Sequence, residues 1–153
     1  MRIGKEFDDL TAASRMVSEP PPPRVTHLSL PHWEAAAKGE LALQRCGACD
    51  RFRFPISPVC PFCGGLESTW QAVSGLGRVW TFAVVRRPMM PAFWLEPPYV
   101  VALVALDEGP RYLANVVGER ALDDVRIGTR VEVSFHDEGD GLTMPRFVIV
   151  DES

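Results

Sequence analysis

Four cysteines fall in two pairs, Cys46-Gly47-Ala48-Cys49 and Cys60-Pro61-Phe62-Cys63, with ten residues between them. A Cys-x-x-Cys turn puts two thiolates on one side of a tight knuckle, and two knuckles supply four sulfurs to one tetrahedral ion. Gly64 and Gly65 follow the second pair, where a chain leaving a knuckle can need a positive φ. No cysteine is left over. The set therefore predicts a metal site held by Cys46, Cys49, Cys60 and Cys63, with zinc the expected ion and a rubredoxin-type iron the alternative. Four sulfurs leave no coordination position open to a substrate, so the expected role of the ion is to hold a fold. The opening residues MRIGKEFDDL carry charge where a signal peptide has its apolar stretch, so the expected compartment is the cytoplasm, where thiols stay reduced. A redox role is disfavoured too, because neither pair opens a helix in a βαβ unit.

Little else in the chain has the pattern of a catalytic centre. There is no GxSxG elbow, P-loop or HExxH motif, and no cysteine outside the knuckles to act as an acyl-transfer nucleophile. His27, His32 and His136 read as solvated residues in a tail, a helix start and a turn. Asp107 with Glu108, and Asp123 with Asp124, read as solvated charge at turns. No catalytic residue is assigned, and the chain is expected to be non-catalytic on its own.

Charge is uneven. The whole chain of 153 residues carries a net −4, which disfavours nucleic acid or an anionic membrane as the main partner. Residues 41–90 nonetheless hold Arg45, Arg51, Arg53, Arg78, Arg86 and Arg87 against Asp50 and Glu67. A local positive field on an acidic protein suits a small polyanion, provided the arginines converge in space.

These side chains need elements to position them. Residues 1–29 are polar, lack periodicity and include four consecutive prolines at 20–23, the composition of a semi-rigid extension. A helix is predicted over 30–40, with Ser29 as its cap, Pro31 in its first turn, Gly39 at its end, and Leu30, Trp33 and Ala37 on one side. Its face packs on its own domain or on a partner. Residues 41–72 form the cysteine module. From residue 73 the pattern turns to β, with strands predicted at 78–85, 99–106, 111–117, 130–135 and 146–150, rich in Val, Phe, Tyr and Trp and bounded by Gly, Pro or Asp. Five short strands without long helices predict a small closed barrel, so the fold class is mainly β. The longest apolar run, residues 100–106, is a strand and not a membrane span. The segment 88–98 (PMMPAFWLEPP) is unusually apolar for a loop, and Met89, Met90, Phe93 and Trp94, together with Trp33, are candidate docking residues.

The linked order KGELALQRCGACDRFRFPISPVCPFCGG, Ser74-Gly75-x-Gly77 followed by VWTF, PYVVALVALDEG, and VEVSF…DGLTMPRF resembles the acyl-CoA-associated zinc-ribbon/OB-fold family, once grouped as domain of unknown function 35. The resemblance spans about residues 30–150. It implies a rubredoxin-like ribbon on a five-stranded OB barrel, with metal ligands at Cys46, Cys49, Cys60 and Cys63. It also implies an accessory subunit for a thiolase-superfamily enzyme of lipid metabolism, such as a lipid-transfer-protein-like thiolase or retro-aldolase, in a two-plus-two heterotetramer. Some relatives partner hot-dog-fold enoyl-CoA hydratases instead. Under that resemblance the polyanion is a coenzyme A thioester, and Arg45, Arg51, Arg53, Arg86 and Arg87 are its candidate contacts. Two rival classes are a single-stranded nucleic-acid module, since OB barrels and ribbons both serve that role, and a free-standing thioester enzyme.

Overall fold

A computed structural model describes residues 21–87 and 97–151. In chain order the elements are α1 (Leu30–Ala36), β1 (Leu41–Cys46), β2 (Phe52–Arg53), β3 (Ser68–Val73), β4 (Leu76–Val85), β5 (Tyr99–Leu106), β6 (Arg111–Val117), α2 (Ala121–Asp124), β7 (Arg130–Asp137) and β8 (Thr143–Ile149). Strands β2, β1 and β3 make a three-stranded sheet in that order. The other five close a barrel in the order β4-β5-β6-β8-β7, with β7 returning to pair antiparallel with the start of β4.

Burial in β5 alternates along YVVALVAL, with Val100, Ala102, Val104 and Leu106 turned inward. They meet Val79, Tyr112, Val116, Val131 and Phe147 from the neighbouring strands. Leu41 and Leu43 of β1 belong to the same buried cluster, so the ribbon sheet contributes side chains to the barrel's core. Helix α2 sits between β6 and β7, where only solvated charge was expected. Its Ala121 and the following Val125 are buried in the core cluster, an apolar pair at helical spacing. Strand β8 begins three residues earlier than expected and includes Pro145, which pairs with Phe135 of β7. Proline is tolerated there because the parallel pairing with β6 starts later, at Val116 and Phe147.

The Ser74-Gly75-x-Gly77 segment joins ribbon to barrel. Gly75 has φ +73, and a Cβ on it would lie 2.2 Å from Val133 Cγ1. Its carbonyl accepts the Val133 N–H at 2.8 Å. A Cβ at Gly77 would lie 2.6 Å from the Ala105 carbonyl oxygen, so glycine there lets β4 press against β5. Asp107 and Glu108 are structural and not merely solvated charge. Glu108 Oε1 accepts the Ser74 N–H at 2.7 Å, and Asp107 takes both Nη groups of Arg130 at 2.7 and 2.6 Å. The Arg130 hydrogen bond holds the Asp107 carboxyl below its ordinary value.

Helix α1 begins at Leu30 as expected but ends at Ala36, with a turn running on to Gly39 at φ +77, and a different face is buried. His32 and Ala36 point inward, while Leu30 is 44% exposed. Ser29 does not cap the helix; its Oγ accepts the Thr26 N–H at 2.9 Å. No helix of the described residues is long and apolar enough to cross a membrane.

Candidate metal centre

The two knuckles are built alike. In the first, the Cys46 carbonyl accepts the Asp50 N–H at 3.0 Å and the Cys46 N–H donates to the Arg51 carbonyl at 3.0 Å. In the second, the Cys60 carbonyl accepts the Gly64 N–H and the Cys60 N–H donates to the Gly65 carbonyl, both at 2.9 Å. The residue just past each pair is left-handed, with φ +63 at Asp50 and +74 at Gly64. Only the second was legible as a glycine; aspartate tolerates the same conformation at modest cost. Gly65 needs space rather than dihedral freedom. A Cβ there would lie 3.1 Å from Ala48 Cβ, 3.3 Å from Cys63 Sγ and 3.4 Å from Cys46 Sγ.

All four sulfurs lie within 4.8 Å of one another, with Cys46 to Cys63 at 3.6 Å and Cys49 to Cys60 at 3.7 Å. A tetrahedron with zinc–sulfur bonds of about 2.3 Å has sulfur–sulfur edges of about 3.8 Å, so the set fits the ion. None of the four is in a disulfide. The Cys49 and Ala48 amides lower the Cys46 thiol. Burial raises Cys60, but the Phe62 and Cys63 amides together with hydrogen bonds from the Cys46 and Cys49 side chains outweigh it and bring that thiol down to about 6. The Gly65 amide favours the Cys63 thiolate, yet the Cys49 and Cys46 sulfurs beside it push the group up to about 12. Four negative sulfurs at these distances repel one another, and a divalent cation removes that repulsion. Once bound, the ion supplies a cross-link between the knuckles and no open position for chemistry.

Helix, ribbon and barrel meet at His32, which is 2% exposed and not a surface residue. Its Nδ1–H donates to the Ala42 carbonyl at 2.9 Å, which leaves Nε2 to accept the Tyr112 hydroxyl at 3.0 Å. Around it stand Trp33, Phe54, Trp70 and Tyr112, with Phe54 stacked on Tyr112 at 4.2 Å between ring centres. The residue's isolated position in sequence gave no sign of this, because its partners lie 10 and 80 positions away. Burial lowers the His32 pKa below 6.5 despite the Ala42 hydrogen bond. Between that lowered value and 6.5 the unfolded chain takes up a proton that the folded chain refuses, so stability is complete above 6.5 and declines as pH falls below it. The expected slope is at most about 1.4 kcal/mol per pH unit. Thermal melts from pH 7.5 down to 5.5, compared with His32→Gln, check this; the same slope in the variant would refute it.

The candidate arginines do not share one environment. Arg45 is tied to Asp50 and, at 3.1 Å, to Gln71, with its guanidinium 5.5 Å from the Phe52 ring centre. Arg51 is exposed and lies 5.0 Å over the Phe62 ring. Arg53 is 1% exposed, so its candidacy as a coenzyme A contact is corrected: β2 places it inside the ribbon, opposite Gln44. Arg86 and Arg87 are exposed at the end of β4. Met89, Met90, Phe93 and Trp94 lie outside the described residues, as do 1–20 of the proline-bearing extension. Trp33 is half-buried and lines a groove of about 390 Å³ with Pro23, Phe54, Ile56, Leu113 and Met144. His136 is in β7 and not in a turn, with its Nε2 2.9 Å from Ser134 Oγ. Among the described residues nothing bonds its Nδ1, so the pair lacks the orienting third group of a hydrolytic triad.

A four-cysteine ribbon whose sheet shares the core of a closed five-stranded barrel defines a zinc-ribbon/OB-fold protein. Residues 33–68 match the family model "ChsH2, rubredoxin-like zinc ribbon domain" and residues 70–136 match "ChsH2, C-terminal OB-fold domain". A DUF35 domain-containing scaffold protein of Methanothermobacter thermautotrophicus is 36% identical over 94 residues, covering 60% of this chain and 68% of that protein. The chain belongs to this DUF35 family, of which the ChsH2 ribbon and barrel are the matching modules. A probable enoyl-CoA hydratase alpha subunit of Thermomonospora curvata is 42% identical over 115 residues, 75% of this chain. The chain spans only 35% of that relative's length, and 64% of the Pyrococcus furiosus DUF35 scaffold protein, to which it is 36% identical over 57% of its own length. Among solved structures, a chain of an "Ltp2-ChsH2(DUF35) aldolase" superposes with TM-score 0.73 at 38% identity, covering 84% of this chain and 98% of that one.

Proposed function

We propose that the protein is a non-catalytic accessory subunit of a thiolase-superfamily acyl-CoA enzyme, an aldolase or thiolase of lipid metabolism. The observation that carries this reading is the 38% identity along 98% of a chain from the Ltp2-ChsH2(DUF35) aldolase. The metal centre is consistent with it, since four thiolates leave the ion no catalytic position and the partner must then supply the bond-making residues. In this reading the chain stabilises a lipid-transfer-protein-like partner in a two-plus-two heterotetramer in the cytoplasm. Arg45, Arg51, Arg86 and Arg87 draw in the phosphates of a coenzyme A thioester. Trp33 and the segment bearing Met89, Met90, Phe93 and Trp94 serve docking.

Co-expression with a lipid-transfer-protein-like thiolase from the same organism is expected to give one co-eluting complex on size exclusion. The complex is expected to act on a β-hydroxyacyl-CoA, and this chain alone is not. Turnover of an acyl-CoA thioester by the isolated chain would overturn the proposal. A second reading is favoured by the Thermomonospora curvata relative: the partner is an enoyl-CoA hydratase. Co-elution with a hot-dog-fold hydratase, and not with the thiolase, would select it.

A further inference from the structure

Arg53 poses a problem of uncompensated charge. Its side chain is buried, and among the described residues only Nη1 has a partner, the Gly65 carbonyl at 3.5 Å. Nε and Nη2 are buried without an acceptor among the described residues. Among the described residues the carboxylates in ion pairs are all held by other arginines, and none reaches Arg53. Gln44, directly opposite on β1, is committed elsewhere, with its Oε1 accepting the Ser57 N–H at 3.0 Å. A buried guanidinium without an anion is strongly destabilising, and removing the charge would then be favourable.

The missing negative charge lies across one residue. Gly65, which takes Nη1 on its carbonyl, also faces the cluster: a Cβ on it would lie 3.3 Å from Cys63 Sγ and 3.4 Å from Cys46 Sγ. Cys46 is also bonded through its N–H to the carbonyl of Arg51, the residue just before β2 and two positions before Arg53. Four thiolates around a divalent ion carry a net charge of about −2. We propose that Arg53 is the internal counter-charge of the metal centre, a positioning residue whose buried cation favours the tetrathiolate and is in turn stabilised by it. Gly65 stands between the two: its carbonyl, which also accepts the Cys60 N–H at 2.9 Å, takes the guanidinium, and its Cα–H side faces the sulfurs. Hydrogen bonding and charge around the ligand shell are known to set metal affinity in such sites.

The test uses the full chain and zinc itself, read by competition with a chromophoric chelator. Arg53→Met is expected to weaken zinc binding at least tenfold, and Arg53→Lys, which keeps the charge, to recover most of that loss. Unchanged affinity in Arg53→Met, or Arg53→Lys no better than Arg53→Met, overturns the proposal. A residue that merely filled space would cost the same in any ligand set. In a Cys63→His background, where the loaded site carries about −1, the added Arg53→Met change is therefore expected to cost less than half as much on a logarithmic scale. An equal cost in both backgrounds overturns the proposal. Should Arg53→Met alone fail to accumulate as folded protein, the double variant decides. A soluble, zinc-loaded Cys63→His/Arg53→Met chain supports the counter-charge role, and its absence where Cys63→His alone folds refutes it.

Discussion

Changing Cys46 to serine is expected to strip the ribbon of both its ion and its order. Cys46 is 1% exposed, terminates β1, and holds the first knuckle by bonds to Asp50 and Arg51. The described ribbon has few buried apolar side chains around its knuckles, where Val59, Phe62 and Leu66 are exposed. A segment of this size cannot hold its shape on hydrophobic burial alone. Structural zinc in comparable peptides contributes on the order of 10–16 kcal/mol, nearly all of it realised as folding energy. The Cys46→Ser chain should therefore bind no stoichiometric zinc by atomic emission and be cut between residues 47 and 66 by a low dose of protease that spares the native protein. Stripping zinc from the native chain with a strong chelator should reproduce the cleavage pattern. Because the ligands bind as thiolates, the ion should also leave as the pH falls. A metal-free chain with the native melting temperature and protease resistance would refute the assignment.

Gly75→Ala is expected to have the second largest effect. The new methyl would meet Val133 Cγ1 at 2.2 Å and Cβ at 3.1 Å, and alanine would be held at φ +73. The left-handed conformation costs alanine about 1 kcal/mol, and forcing volume into a packed site adds about 1–3 kcal/mol. For a domain of this size the sum corresponds to a fall in melting temperature of roughly 10 °C. Val133→Ala in the same chain removes the clash but not the dihedral cost, so it should restore part of the loss and never all of it. A Gly75→Ala protein that melts with the native one would show that the Gly75 turn adapts freely.

The parts of this molecule that rest on local chemistry were readable from sequence. Two Cys-x-x-Cys pairs define their own knuckles, and Tyr99–Leu106 alternates inward and outward as a barrel strand does. What escaped were residues whose roles are set by distant partners. His32 looked like a polar residue at a helix start, and its burial follows from Ala42 and Tyr112. Arg53 is one of three arginines within nine residues, and nothing local separates it from Arg51, which remains in solvent. Asp107 and Glu108 occupy a turn, as read, but their carboxylates reach β7 and the ribbon–barrel connection. The short helix α2 was hidden because most of its residues are charged or exposed and only Ala121, with Val125 just past its end, turns inward.

The insertion of Leu41 and Leu43 into the barrel's interior bears on how such proteins can be recombined. Sequence comparison divides the chain near residue 69, yet that seam is not a mechanical one. A barrel excised at residue 70 would have a hole where two leucines belong, and a ribbon excised at 68 would expose them to water along with the third strand's cut edge. Fusion, gene duplication or laboratory grafting should therefore move the two modules together, as one heritable piece.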